Sequence, residues 1–423
     1  MLTLLLNKQF CYILKKVCNM KQINQLVITL ILCSFLASCK GQKKTDNPGK
    51  GIAKADTVKI VGGGCEGCEL MYIGLPEKIL PEHTSIGWTE SNTKLILTGK
   101  VFQIDGKTPA QNVIVYYWHT DDRGLYSSNK QTPELAKVHG KLRGWVKSDV
   151  NGNYTIKTSR PAAYPSQDIA QHIHLSIKEP SINEYYADLY FDDDPLYLKH
   201  KKKYGKLDRA GTEILRVVLD NKTQIAEHNI VLGLNIPNYP TKGSTAFNSG
   251  LNIGADQPSF IPYHAFGPDK GTRTCPVCKY GRYHGIIYFV GDNPNWDEIK
   301  KWLRFLDNES IARDKYLKAY FVFGSSKNYD KQARQTVLEN IGNELGLQKI
   351  ALTYVPSFAD TESEAHLNNI NAAVENTLII YRYRTIVDKY VNLKPTAENF
   401  ITISSALDKT KSDYFELPEP MHD

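Results

Sequence analysis

The chain lacks an apolar run long enough to cross a bilayer as a helix. Its marked hydrophobic stretch, Leu26 to Ala37, has twelve residues, against the roughly 20 that a spanning helix needs. A surplus of one charge is also missing. The formal charge of +7 includes four lysines, Lys8, Lys15, Lys16 and Lys21, within residues 1–38; that segment holds no acid, so +3 remains without it. Net charge therefore makes no case for a nucleic-acid partner. The single basic run, Lys199 to Lys206 (KHKKKYGK), reads as a solvated loop or helix face. Compositional bias toward disorder, collagen or coiled coil is absent, and so is any internal repeat. What remains is 423 residues, 41% hydrophobic and 10% aromatic, long enough for two globular domains behind a leader.

The leader is Met20 to Cys39, MKQINQLVITLILCSFLASC. Lys21 precedes the apolar run, which ends in Leu36-Ala37-Ser38-Cys39. This resembles a bacterial lipobox, in which the cysteine is lipidated and the leader removed. The resemblance implies a lipid-anchored protein of the cell envelope, on the periplasmic face or the outer membrane. Met20 is then the natural start. The polar stretch after Cys39, KGQKKTDNPGKG, suits a tether.

Cysteine is scarce and patterned. Of eight, Cys11, Cys18 and Cys33 fall in the leader and Cys39 is the lipidation candidate. The rest are two CxxC pairs, Cys65/Cys68 and Cys275/Cys278. Outside the cytoplasm such pairs favour local disulfides. A joint four-sulfur zinc site is the lesser alternative.

Hydrophobic patterning changes midway. Short β-rich runs fill residues 95–104, 112–120, 143–149, 153–159, 172–178, 214–220 and 228–234, with turn signals at Asp105-Gly106 and a hairpin signal at Asn151-Gly152. This predicts an all-β sandwich. Beyond Leu251, strands and helices alternate. Strand-like runs occupy 286–291, 319–324, 350–355 and 376–393. A helix over 296–306 carries Ile299, Trp302, Leu303 and Leu306 on one face, and another over 334–347 carries Val337, Ile341 and Leu345. A closing helix spans 397–407. The order β-α-β-α-β, connection, β-β-α resembles the thioredoxin architecture. The predicted organisation is multidomain: leader 1–39, tether with CxxC 40–69, sandwich 70–236, linker 237–256, an α/β thioredoxin-like domain 257–410 and a tail 411–423.

The chemistry centres on His172 and His174. Two apart on a strand, they point to the same face and can meet one metal. Upstream, WHTDDRGLYSS (118–128) turns off a strand with Tyr126 after Gly124, and RGWVKSDVNGNYTIKTSRPAAYP (143–165) leads to Tyr164 between prolines. The series W-x(5)-G-x-Y, RGW, D-x-x-G-x-Y-x-I-x-T, P-x-x-Y-P, H-I-H resembles the intradiol ring-cleavage dioxygenases (catechol 1,2- and protocatechuate 3,4-dioxygenase-like) over roughly residues 90–235. The resemblance implies a β-sandwich oxidoreductase with Fe(III) held by Tyr126, Tyr164, His172 and His174. It also implies a catechol-type aromatic substrate opened with O2 between its two hydroxyl-bearing carbons, yielding a dicarboxylic acid. The ligand types suit the ion: Fe(III) is hard, phenolate oxygen is hard and anionic, and imidazole suits iron generally. Tyr116, Tyr117 and Trp118 read as core or pocket wall.

Two departures stand out. Where the family has Arg-Pro-Ala before the H-x-H pair, this chain has Ile169-Ala170-Gln171, leaving Arg143 and Arg160 as candidate replacements. Tyr164 and His172 are only eight apart, a shorter segment than is usual. In the second half, TRTCPVCKYG (272–281) places Lys279 beside its CxxC, a neighbour that lowers thiol pKa. Yet the motif precedes the strand at 286–291. GDNPNW (291–296) occupies the usual thioredoxin position without cysteine, and no proline precedes TLIIY. Two other readings stand beside the enzyme. One is a metal-free binding sandwich of transthyretin or carboxypeptidase-regulatory type, suggested by GKVFQIDGKTPAQNVIVYY and SDVNGNYTIKT. The other is a thiol-disulfide redox lipoprotein.

Overall fold

The computed structural model describes residues 61–65, 67–200, 208–240 and 248–420. The lipobox, Cys39 and most of the tether lie outside the described residues. Among those described, no helix is long and apolar enough to cross a membrane.

The first half is built from β1 (Glu82–Thr84), β2 (Lys94–Phe102), β3 (Ile114–Trp118), β4 (Arg143–Lys147), β5 (Asn153–Ser159), β6 (His172–Lys178), β7 (Tyr185–Phe191), β8 (Ile214–Leu215), β9 (Val217–Asp220), β10 (Thr223–Glu227) and β11 (Ile230–Val231). One sheet runs β1-β5-β2-β10-β9, with β11 also on β2; the other runs β4-β3-β6-β7-β8. Alternation along each strand sends one set of side chains into the core between the sheets. Leu95 and Leu97 of β2 meet Val115 and Tyr117 of β3 and Ile173, Leu175 and Ile177 of β6 there. Each fully buried aliphatic of this kind contributes roughly 1.5–3 kcal/mol. The odd positions of β6 are thus held inside, and His172, His174 and Ser176 must take the outer face of the five-stranded sheet.

Three sequence expectations are corrected here. The run 214–220 is two strands in different sheets, broken at Arg216, whose guanidinium pairs with Asp256 at 2.7 Å. Asn151-Gly152 does make a tight turn, with the Asp149 carboxylate accepting both Asn151 N–H and Asn153 N–H at 2.8 Å. It crosses between the sheets, however, since β4 pairs with β3 and β5 with β2. The sandwich also begins earlier than position 70: Val61 is in its core, and Cys68 and Met71 are buried.

The second half adds β12 (Tyr263–Phe266), β13 (His284–Val290), β14 (Leu317–Phe323), β15 (Ala351–Tyr354), β16 (Thr377–Arg382) and β17 (Thr385–Val391), in the order β12-β15-β14-β13-β16-β17. β13, β14 and β15 are parallel; β16 is antiparallel to β13, and β17 to β16. Helices α1 (Trp296–Arg313), α2 (Lys331–Leu345) and α3 (Ala397–Lys409) share one core cluster with Ile286, Tyr288 and Val290. Asn295, Asp330 and Thr396 cap their N-termini through side-chain oxygens. Val337 is exposed, contrary to the predicted face. Leu338 and Ile341 are the α2 residues turned to the core, a register that also suits Leu345.

The described parts of the segment read as a linker, 237–240 and 248–256, and of the tail, 411–420, both pack. Asp256 bridges to Thr385 of β17, and Arg382 pairs with Glu227 at 3.2 Å. Phe415 is buried among Tyr283, His284, Tyr316 and Tyr383, and Leu219 N–H donates to Pro418 O at 2.8 Å.

Several histidines are buried neutral. Burial pushes His228 down to about 4, with its ring between Tyr154 Oη at 3.0 Å and Thr212 O at 3.0 Å. An unfolded histidine titrates near 6.5. Between these values the unfolded chain binds the extra proton, so this stabilisation is present above about 6.5 and is lost as pH falls through about 4. A shift of this size amounts to about 3 kcal/mol. The stability gap between the protein and a His228→Asn variant, read from urea midpoints, should therefore narrow from pH 7 to pH 4.5; a gap independent of pH contradicts the assignment.

Candidate metal centre

Register on β6 defines the site. His174 lies opposite Trp118 of β3 and Asp188 of β7, and His172 lies opposite Tyr190. His172 Nδ1 is 2.7 Å from Ala170 O, and His174 Nδ1 is 2.7 Å from Asp188 Oδ1. A carbonyl and a carboxylate only accept, so each ring carries its proton on Nδ1 and turns the Nε2 lone pair outward. Trp118 stacks on His174 with centroids 4.9 Å apart and on His139 at 4.1 Å, which fixes the tilt of the His174 ring. The Tyr116 hydroxyl meets His139 Nδ1 at 2.8 Å behind this stack.

The two tyrosines arrive on loops that are tied together. Asp121 accepts from Arg123 N–H at 3.0 Å, Leu125 N–H at 3.1 Å and the Ser127 hydroxyl at 2.6 Å, which folds the turn that carries Tyr126. Thr120 Oγ1 donates to Ala162 O at 2.6 Å, and Ala162 N–H donates to Asp121 O at 3.1 Å. Gly124 sits at φ +75, where a Cβ would fall 2.0 Å from Ala163 O. Only glycine lets the Tyr126 turn approach the Tyr164 loop this closely.

The result is a closed ring of four donor atoms. Tyr126 Oη is 2.6 Å from Tyr164 Oη, Tyr164 Oη is 3.2 Å from His172 Nε2, His172 Nε2 is 3.1 Å from His174 Nε2, and His174 Nε2 is 3.0 Å from Tyr126 Oη. A point within such a ring is about 2 Å from each atom, the bond length of a first-row metal to imidazole nitrogen or oxygen. The donor set fits ferric iron: two neutral nitrogens and two hard oxygens able to become anions. Among the described residues no group of three or more His, Cys, Asp and Glu side chains is placed to hold a metal, so a centre here depends on the phenols. Burial lowers His172 to about 4, reinforced by His174, which keeps its lone pair free at neutral pH. Burial raises both Tyr126 and Tyr164 above the ordinary tyrosine value, so without a cation both phenols stay protonated and share hydrogen bonds.

The two candidate arginines each have partners of their own beside the site. Arg160 makes a two-pronged ion pair with Asp193 at 2.7 and 2.6 Å and donates to Gln171 at 2.7 Å. Arg143 donates to Ile73 O and lies over the rings of Tyr116 and Trp145. Sequence reasoning missed Asp188 and His139. Asp188 carried a signal, as the polar member of an alternating apolar run, YYADLYF.

Cys65–Cys68 and Cys275–Cys278 are each joined as a disulfide. The first pair lies near the site, since Gly67 packs against His139. In the second, the Lys279 ammonium is engaged by Asp269 at 2.6 Å.

Gly124→Ala should push the tyrosine loops apart. We expect destabilisation of about 1–3 kcal/mol and loss of ferric ion uptake, measured by urea unfolding and metal titration; unchanged values in both contradict the packing argument.

The dioxygenase family matches residues 80–201. Catechol 1,2-dioxygenase 1 of Acinetobacter lwoffii is 29% identical over 118 residues, 24% of this chain and 37% of the relative; the chain thus spans well under half of that relative's length. Similar solved structures include the dioxygenase domain of a dioxygenase carbohydrate-binding protein fusion from Streptomyces sp. SirexAA-E, at 21% identity over 37% of this chain and 90% of that chain with a TM-score of 0.29. An intradiol ring-cleavage dioxygenase from Tetranychus urticae is also similar, at 19% identity over 37% and 88% with a TM-score of 0.28. Over residues 80–201, the segment that holds all four clustered phenols and imidazoles, this chain is similar to the dioxygenases.

Proposed function

We propose that the sandwich is a non-haem ferric dioxygenase of the intradiol type, opening catechol-like rings with O2 between the two hydroxyl-bearing carbons. The closed ring of Tyr126, Tyr164, His172 and His174 carries this reading. Ferric iron bound there would supply a Lewis acid and a template for a catecholate and O2. The chain's own residues do the rest. Tyr126 and Tyr164 would hold the cation, and its charge would favour loss of their protons to solvent against the upward pull of burial. As phenolates they favour the ferric over the ferrous state. His172 and His174 remain neutral donors, held in place by Ala170 O and Asp188. Were a catechol to chelate an ion held there, one of the two phenolates would be placed to accept one of its protons, the other passing to solvent. Arg160 is held by Asp193 and Ile169-Ala170-Gln171 brings no cation, which leaves Arg143, over the Tyr116 ring, as the guanidinium on this face of the sheet.

We read the second half as thioredoxin-like on its element order, without a thioredoxin active site. The connection from β13 to α1 has no cysteine, and the Cys275–Cys278 disulfide precedes β13. Anchorage through lipidated Cys39 places the protein in the cell envelope.

Two experiments test these readings. Protein purified with iron should show a visible tyrosinate-to-iron absorption band and catechol-dependent oxygen uptake. Tyr126→Phe and Tyr164→Phe should each change or abolish the band and reduce uptake at least a hundredfold. A colourless protein that binds no ferric iron contradicts the enzyme and favours a metal-free sandwich. Separately, Cys39→Ser should move the protein from the membrane to the soluble fraction; unaltered membrane association overturns the anchor.

A further inference from the structure

The two imidazoles of the candidate centre are backed differently. His172 donates its Nδ1 proton to a neutral carbonyl, Ala170 O. His174 donates its own to a carboxylate, Asp188 Oδ1, at the same 2.7 Å. Asp188 comes from the neighbouring strand at the position directly across from His174. The carboxylate is therefore presented by sheet register rather than by a mobile loop. Trp118 covers the His174 ring from the other neighbouring strand. The ring thus has its plane set by the indole and its proton set by the carboxylate.

A carboxylate acceptor draws the Nδ1 proton toward itself and makes Nε2 a stronger donor than a carbonyl acceptor does. It also adds a negative charge one residue's width behind the donor ring. We propose that Asp188 is a positioning and tuning residue of this centre, which fixes His174 in the Nδ1–H tautomer and gives it partial imidazolate character, so that His174 binds the cation more strongly than His172 does. The inference rests on the ferric reading above. Its consequence is specific: the charge at Asp188 favours the ferric state over the ferrous, beyond what the two phenolates supply.

The test uses the full chain and three variants, with ferric ion as the probe. Asp188→Asn keeps an oxygen acceptor for Nδ1–H but removes the charge. Asp188→Ala removes both, and Asp188→Glu restores the charge on a longer stem. Ferric affinity should fall roughly ten- to a hundredfold in Asp188→Ala, less in Asp188→Asn, and partly recover in Asp188→Glu. The ferric/ferrous potential should rise in Asp188→Asn even where iron occupancy is complete, a readout that loss of packing alone does not move. In the metal-free protein, nitrogen NMR should place the His174 proton on Nδ1, and Asp188→Ala should redistribute it between the two ring nitrogens. Potential and affinity unchanged in both Asn and Ala variants overturn the assignment of Asp188 while leaving the centre intact. Failure of the unmodified protein to bind ferric ion overturns the centre and this inference together.

Discussion

The two-residue period of a single strand is the constraint on which the site depends. On β6, Ile173, Leu175 and Ile177 are buried between the sheets, and this fixes the strand's rotation. His172 and His174 then have no choice of face. Their Nε2 atoms come to 3.1 Å of one another because the backbone places them there. A slip of one residue would drive two imidazoles into an aliphatic core and expose three aliphatic side chains, so core packing and donor placement enforce the same register.

The phenols answer to a different constraint. They sit on loops, where packing alone gives poor precision. Here the precision comes from the Asp121 carboxylate, which gathers the Tyr126 turn, and from backbone contact at Gly124, which brings the Tyr164 loop against it. The strand supplies two imidazole nitrogens, and the paired loops supply two phenol oxygens. Around them stand Trp118, His139 and Tyr116, a stacked aromatic layer on the outer face of the five-stranded sheet. The second half packs against the sandwich through Arg216, Asp256, Arg382 and Glu227, residues separate from the four clustered donors.

Much of this was legible in the chain. The β-rich runs, the change of patterning after Leu251 and the order of strands and helices beyond it all follow from periodicity, which packing rewards directly. The H-x-H pair and the two tyrosines could be read because motif order is preserved along the sequence. What escaped reading depends on partners far away in the chain. β7 was not among the strand-like runs, and the pairing of its Asp188 with His174 follows only from the register of β6 on β7. The 214–220 run looked continuous, because the ion pair that splits it comes from Asp256. Arg160 looked available for substrate, because sequence does not reveal that Asp193 holds it. Val337 was placed on the buried face of its helix because a pattern of three apolar positions leaves the rotation open by one residue; Leu338, packed against the sheet, settles it.

The central claim is that four side chains from one strand and two loops converge on a single cation. The most direct measurement is a structure of the iron-loaded protein with data collected at the iron absorption edge. The account predicts one anomalous peak about 2 Å from Tyr126 Oη, Tyr164 Oη, His172 Nε2 and His174 Nε2. A peak elsewhere, or one from which either phenol oxygen lies beyond bonding reach, contradicts it.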